Sequence, residues 1–123
     1  MQIKFKVESR LITWNEVAHM AYSKDSNNYS RTKKRQQTFI KHEIAQQVTP
    51  KNYFGDSKVS VSYDWHTNTK FDLGNLTAGE KFLADSINDL KLWDDDFNIV
   101  QINHRRIVDD ENYVLVTIDE VED

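Results

Sequence analysis

Residues 58–66, KVSVSYDWH, alternate without a break. Val59, Val61, Tyr63 and Trp65 fall on one side, and Ser60, Ser62, Asp64 and His66 on the other. Successive side chains of a strand point to opposite faces, so this is the clearest strand in the chain. Gln2–Val7 alternates in the same way, with Ile3, Phe5 and Val7 against Lys4 and Lys6. Phe97–Ile107 sets Phe97, Ile99, Gln101 and Asn103 against Asn98, Val100, Ile102 and His104, predicting a strand with one strongly apolar side. Tyr113–Ile118 (YVLVTI) closes the series, with an acidic tail expected to fray.

Two stretches carry helical spacing instead. Ser30 is placed to cap a helix running to about Val48, with Gln37, Ile40, Ile44 and Val48 on one stripe. Pro50 stops it, because a proline disfavours helical backbone at the residue before it. A second helix is predicted from about Leu76 to Leu90, with Leu76, Leu83, Ile87 and Leu90 as its core stripe. Between these elements, Leu11, Ile12 and Trp14 form a short apolar run, Val17–Tyr22 reads as a short helix or an irregular loop, and Ser23–Ser30 is polar and turn-rich. Asn52–Ser57 and Thr67–Lys70 are turns, and Asp109–Asn112 is a hairpin-like turn. The order is β-α-β-α-β-β. The economical solution is one domain over residues 1–123, a sheet of about four strands with the helices packed on it.

With 123 residues, the chain suits one core of two layers. It has no cysteine, which excludes a disulfide framework and a thiolate zinc site. No apolar run approaches the ~20 residues of a membrane span, and the N-terminus lacks the apolar block of a signal peptide, so the expected location is the cytoplasm. The formal net charge of −4 hides an asymmetry. Residues 1–51 hold 10 Lys/Arg against 4 Asp/Glu, whereas residues 52–123 hold 6 against 16. A metal-dependent nuclease has such halves, one meeting phosphate and the other holding a cation. Packing of one half against the other explains the asymmetry equally well.

The acidic chemistry centres on residues 70–100. Asp72 sits in a Gly/Asn turn, a helix carries Lys81 and Asp85 one turn apart, and Asp94, Asp95 and Asp96 follow Trp93. This order brings carboxylates from both ends of one helix towards a shared site, and hard divalent cations prefer such oxygens. The alternatives are a turn acid, a solvated corner and a surface Lys81–Asp85 ion pair. Arg31, Lys33, Lys34, Arg35 and Lys41 form a basic patch that tracks phosphates or lines a solvated helix face. The four histidines are dispersed, with no ligand spacing among them.

These residues resemble the signature of RusA-type Holliday junction resolvases, a family common in phages and prophages. That signature runs Asp-x-Asp-Asn-aliphatic, then Lys and Asp on a helix, then an aromatic or aliphatic turn with Asp-Asp, then a strand. Here it reads Asp72-Leu73-Gly74-Asn75-Leu76, Lys81, Asp85, Trp93, Asp95 and Asp96. Gly79–Asp85 (GEKFLAD) resembles the phage branch, where a few extra residues precede the lysine. Trp14-Asn15-Glu16 resembles the family's early loop, Tyr29–Val48 its basic helix, and YVLVTI its closing strand. The resemblance implies a small α+β domain, with a mixed sheet of about four strands and two main helices, working as a homodimer that nicks four-way DNA junctions symmetrically with Mg²⁺, Mn²⁺ substituting. It implies Asp72 and Asp96 as metal ligands with Asp95 assisting, Lys81 as the essential basic residue, and Asn75 and Asp85 as support. It places Asn15 and the basic helix on DNA, in the host-cell cytoplasm if the protein is phage-encoded. One position departs: the second acid of Asp-x-Asp falls on Gly74. Asp95, Asp64 or a water are the candidates to compensate. Two other readings follow, a junction-binding relative with weak or no nuclease activity and an acidic protein-interaction domain.

Overall fold

The structure is a computed structural model that describes residues 1–8, 27–68, 73 and 77–122. The elements are β1 (Gln2–Glu8), α1 (Asn27–Gln47), β2 (Val59–Thr67), α2 (Glu80–Asp89), β3 (Ile99–Val108) and β4 (Tyr113–Glu120). Short 3₁₀ turns at Thr77–Gly79 and Asp96–Asn98 bracket α2 and its exit. The expected β-α-β-α-β-β order and the four-stranded mixed sheet are both present. The readings of Leu11–Trp14, Asn15, Val17–Tyr22 and Ser23–Asp25, and those of Asp72, Gly74, Asn75 and Leu76, lie outside the described residues.

The sheet order is β1-β4-β2-β3. β4 pairs antiparallel with both β1 and β2, and β2 pairs parallel with β3. Every second residue of β2 from Val59 to Thr67 is buried, as its alternation requires. That face meets Phe5 and Val7 of β1 and Val114, Val116 and Ile118 of β4. Ile40 and Ile44 of α1 and Phe82, Leu83 and Ile87 of α2 complete the same core. Both helices therefore lie on one face of the sheet.

Four expectations shift. Helix α1 begins at Asn27, before the expected Ser30 cap, because the polar run 23–30 suits a loop and a first helical turn equally. β3 begins only at Ile99. Its expected apolar side is broken, because a register irregularity pairs Val59 with Ile99 but Ser60 with Gln101. Val100 is the extra residue and is exposed, while Ile99 and Ile102 stay on the helix-covered side. The turn Asp109–Asn112 does not close a hairpin. β2 lies between β3 and β4, so the link spans two strand spacings, about 10 Å. It is tied to the end of β2 as it passes. Asp109 N–H donates to Thr67 O at 3.1 Å, and Thr67 Oγ1 donates to Asn112 Oδ1 at 2.7 Å. The acidic tail does not fray at Ile118. Asp119 accepts from Gln2 at 2.8 Å, and Glu120 accepts from Ser57 Oγ at 2.9 Å.

Helix α2 closes with a C-terminal motif that turns the chain sharply. Leu92 N–H donates to Ile87 O at 3.4 Å, and Lys91 N–H to Asn88 O at 3.0 Å. The buried Leu92 packs in the same core as Ile87. Lys91 sits between them at φ 60, left-handed backbone that favours glycine. Lys91→Gly should therefore stabilise the fold by about 1 kcal/mol, read as a higher urea midpoint at constant slope. An unchanged or lower midpoint would show that the left-handed turn is not strained.

Asp109 supplies a pH-dependent contact. The Glu111 N–H and then the His66 ring hold its carboxyl below the ordinary range. His66 Nδ1 lies 2.9 Å from Asp109 Oδ2. A depressed carboxyl stabilises the fold above its unfolded pKa, near 4, and that contribution is lost as pH falls through the folded value. Asp109→Asn should flatten this part of the acid-unfolding curve while leaving the curve above pH 6 parallel to wild type.

Candidate functional site

The acid corner is built by a brace from the other side of the core. In the turn before β2, Gly55 has φ 56, which its missing Cβ permits. Asn52 Oδ1 accepts from Gly55 N–H at 2.7 Å, while Asn52 Nδ2 donates to Asp94 Oδ1 at 2.6 Å. Gly55 O accepts from Asp94 N–H at 2.9 Å and from Asn98 Nδ2 at 2.7 Å. Leu92 O accepts from the N–H groups of Tyr53 and Phe54. The buried Trp93 indole donates to Asn88 Oδ1.

This brace separates three consecutive aspartates. Asp94 is held by Asn52. Asp95 caps the 3₁₀ turn, its Oδ1 accepting from Phe97 N–H at 3.0 Å. Asp96 reaches the mouth of a cleft of about 350 Å³, lined also by Glu80, Lys81, Ala84, Asp85, Ile99 and Ile102. Asp95 and Asp96 share a side-chain hydrogen bond. The Phe97 N–H, followed by that bond, holds Asp95 below the ordinary carboxylate range. The same bond, then desolvation and the charges of Asp95 and Asp85, push Asp96 up.

Helix α2 supplies the cleft's upper wall. Lys81 is exposed, and no ion pair joins it to Asp85 or to any other described residue. Asp85 instead faces α1. Lys33 Nζ lies 3.8 Å from Asp85 Oδ2, and Gln37 Nε2 donates to the same oxygen at 3.4 Å. Lys41 similarly lies 3.4 Å from Asp89 Oδ2. Part of the charge asymmetry is thus satisfied inside the domain. Arg31, Lys34 and Arg35 remain on the exposed side of α1.

Sequence reasoning missed Glu80. It is half-buried, and burial followed by the charge of Asp85 raises its carboxyl above the ordinary range. The available signal was an acid directly before Lys81, with the small Ala84 one turn on. It also missed Tyr63, whose hydroxyl is buried with no hydrogen-bond partner. Burial, and then the charge of Glu80, push this phenol well above its usual range. Its ring stacks on His104 at 5.0 Å and on Trp65 at 6.0 Å. His104 Nδ1 accepts from the Trp65 indole at 3.0 Å, and burial lowers the pKa of His104.

Asp64 leaves the set of candidate replacements for Gly74. It lies on the opposite face of the sheet, where Arg105 grips both its oxygens at 3.2 Å. Among the described residues, no three His, Cys, Asp or Glu groups are placed together to hold a metal. Asp72, Asn75 and Asn15 lie outside those residues. A larger hollow, of about 760 Å³, lies between Lys6, Glu43, Gln47 and the 110–113 link and contains none of the expected site residues. In what is described, no helix is long and apolar enough to cross a membrane.

Lys81 stands where it can bind a phosphate, and the carboxyl groups of Glu80, Asp85 and Asp96 line the same cleft. These groups are oxygen donors without thiolate or imidazole, the chemistry that hard divalent cations prefer. The orphaned Tyr63 phenol is a group that a bound water would satisfy. Without such a partner, the Tyr63 hydroxyl is a cost. Tyr63→Phe should raise stability by about 1 kcal/mol in urea unfolding, and a loss would mean the hydroxyl is paired.

Among protein-family models, Endodeoxyribonuclease RusA matches residues 2–119. No curated protein matches the chain. Among solved structures, a chain of the "Crystal structure of HypE-HypF complex" aligns at 8% identity and a TM-score of 0.36. That alignment covers 100% of this chain and 33% of the other, so this chain spans about a third of it. A likeness this slight carries no argument.

Proposed function

The chain belongs to the RusA endodeoxyribonuclease family, and from that premise we propose that it is a Mg²⁺-dependent endonuclease acting as a homodimer on four-way DNA junctions. In this reading it resolves the junction by symmetric phosphodiester hydrolysis, with Mn²⁺ able to replace Mg²⁺. The observation that carries the reading is the cleft where Lys81 and Asp85 of α2 meet Asp96 of the acid corner. Asp72 and Asp96 would hold the cation and Asp95 would assist, with Asn75 and Asp85 in support. A cation held by these residues would supply water activation and charge stabilisation at the phosphodiester.

The chain's own residues account for the remaining steps. Lys81, lacking an ion-pair partner among the described residues, is available to bind the phosphate that is cut or the departing oxygen. Lys33 and Gln37 hold Asp85 from α1, so the basic helix adjoins the wall of the cleft. Lys34 and Arg35, with Arg31, Lys33, Lys41 and Asn15, form the DNA-facing set. Such contacts make binding salt-sensitive. The cytoplasm is the proposed location.

The test is cleavage of a labelled four-way junction beside linear duplex. Paired symmetric nicks on the junction alone are expected. Asp96→Asn and Lys81→Ala should each slow cleavage by roughly 100-fold or more while the protein still binds the junction. Failure to bind or cut junctions with either cation would end this reading. Gly74 supports a second one, a junction-binding relative with weak or no nuclease activity. It expects tight, salt-sensitive binding without turnover, and cleavage gained in Gly74→Asp.

A further inference from the structure

The sheet has two edges, and the chain treats them differently. β1 carries Lys4 and Lys6, and its outer edge is closed by α1. Gln47 Oε1 accepts from Lys6 N–H at 2.8 Å, and Gln47 Nε2 donates to Lys6 O at 2.6 Å. A side chain thus takes the place of a further strand. Lysines and covers of this kind keep an edge from pairing with another chain. β3 is the opposite edge, and among the described residues only β2 pairs with it. It runs for 10 residues, Ile99–Val108, without lysine or proline. Such an edge presents a row of backbone N–H and C=O groups to a partner strand. The exposed apolar side chains gather at the same place. Apart from Met1, the large hydrophobics exposed among the described residues are Phe97, Val100, Ile102 and Val108, on β3 or its approach. Phe97 is 89% exposed and presents on the order of 200 Å² by itself. Exposed apolar patches of a few hundred Å² mark interaction sites.

We propose that a second copy of the chain docks on this edge, β3 against β3 and antiparallel, about a two-fold axis near Gln101. This rests on the homodimer of the proposed function and assigns its surface. Charge argues for the same chain as the occupant. The approach to β3 is acidic, Asp94–Asp96, and its far half carries Arg105 and Arg106. Antiparallel pairing brings the basic end of each copy towards the acidic end of the other, whereas parallel pairing sets like against like. An axis near Gln101 also sets Val100 of each copy opposite Ile102 of the other, so exposed apolar residues cover one another. An axis nearer Arg105 would instead bring the arginines of the two copies together. The axis passes through the joined sheet, so the helices of both copies lie on one side of it. Ile99 and Ile102 line the cleft, and the two clefts therefore flank the axis.

The experiment is sedimentation equilibrium over a concentration series, with cysteine cross-linking in parallel. The chain has no cysteine, so a single introduced thiol reports alone. Wild type should sediment as a dimer. Val100→Arg, at an exposed position outside the cleft, should raise the dimer Kd by about 10-fold or more with the far-UV circular dichroism unchanged. Gln101→Cys should form a disulfide-linked dimer under mild oxidation, because a residue at the axis meets its own copy within disulfide reach. Lys4→Cys, on the closed edge, should not. If wild type is a monomer throughout, the homodimer and this proposal are both overturned, and junction cleavage still tests the nuclease reading. If wild type is a dimer that Val100→Arg leaves intact, or in which Gln101→Cys does not cross-link, the homodimer stands and this proposal is overturned. Equal cross-linking of Lys4→Cys would mean random collision and would overturn it too. If Val100→Arg does not fold, the cross-link decides alone.

Discussion

The position of β2 decides most of this structure. Its alternating face is buried at every second residue, from Val59 to Thr67. Burying a Val, Tyr or Trp side chain contributes on the order of 1.5–3 kcal/mol, so this one strand holds a large share of the core. A strand so buried belongs in the middle of a sheet, and it is paired on both sides. One of those pairings is parallel. A parallel neighbour cannot be reached by a tight turn, so the chain must cross over a face of the sheet. The crossover is α2, laid on the face already covered by α1. Glu80, Lys81 and Asp85 thereby come to stand above Ile99 and Ile102 of β3. The cleft follows from the topology, and its walls are not a separate construction.

The acid corner shows how neighbours assign different work to identical residues. Asp94, Asp95 and Asp96 are consecutive, yet one bonds Asn52, one caps a 3₁₀ turn and one faces the cleft. The brace from Asn52 and Gly55 makes the difference. It fixes the backbone after the left-handed Lys91, so the three side chains leave in three directions. Asp96 is then placed at the cleft, where the hydrogen bond with Asp95, then desolvation and the charges of Asp95 and Asp85, resist its ionisation.

Much of the fold was legible because periodicity reports local geometry directly. The β-α-β-α-β-β order and the apolar face of β2 both follow from spacing, as do the Ile40 and Ile44 stripe of α1 and the Leu83 and Ile87 stripe of α2. What spacing cannot carry is which strand lies beside which. Asp109–Asn112 has the composition of a hairpin turn, yet it passes around β2, because β2 is the more buried strand and takes the place between β3 and β4. A bulge at Val100 resets the phase of β3, so counting in twos assigns its apolar side wrongly. For the site, Lys81, Asp85 and Asp96 were found by their order along the chain. Glu80 stayed hidden because an acid at a helix start is ordinary. Only the fold sets it against Asp85 and the Tyr63 phenol.

The ion pairs between the helices bear on why the two charged halves of the chain stay together. Lys33 with Asp85 and Lys41 with Asp89 are partly exposed pairs, worth about 0–1 kcal/mol each. They add little to stability beside the apolar contact of Ile40 and Ile44 with Phe82 and Leu83. Their consequence is positional. Lys33 and Gln37 hold Asp85 from the basic helix, so that helix also sets an acid of the cleft. Lys81 is left out of this network and stays exposed beside the cleft. An interior acidic protein-interaction surface would need the acidic half to be spent outward. Instead, part of it is turned against the chain's own basic helix, and part lines a cleft with a lysine at its edge. Each charge that the fold leaves unpaired at the cleft is one that a ligand can pair.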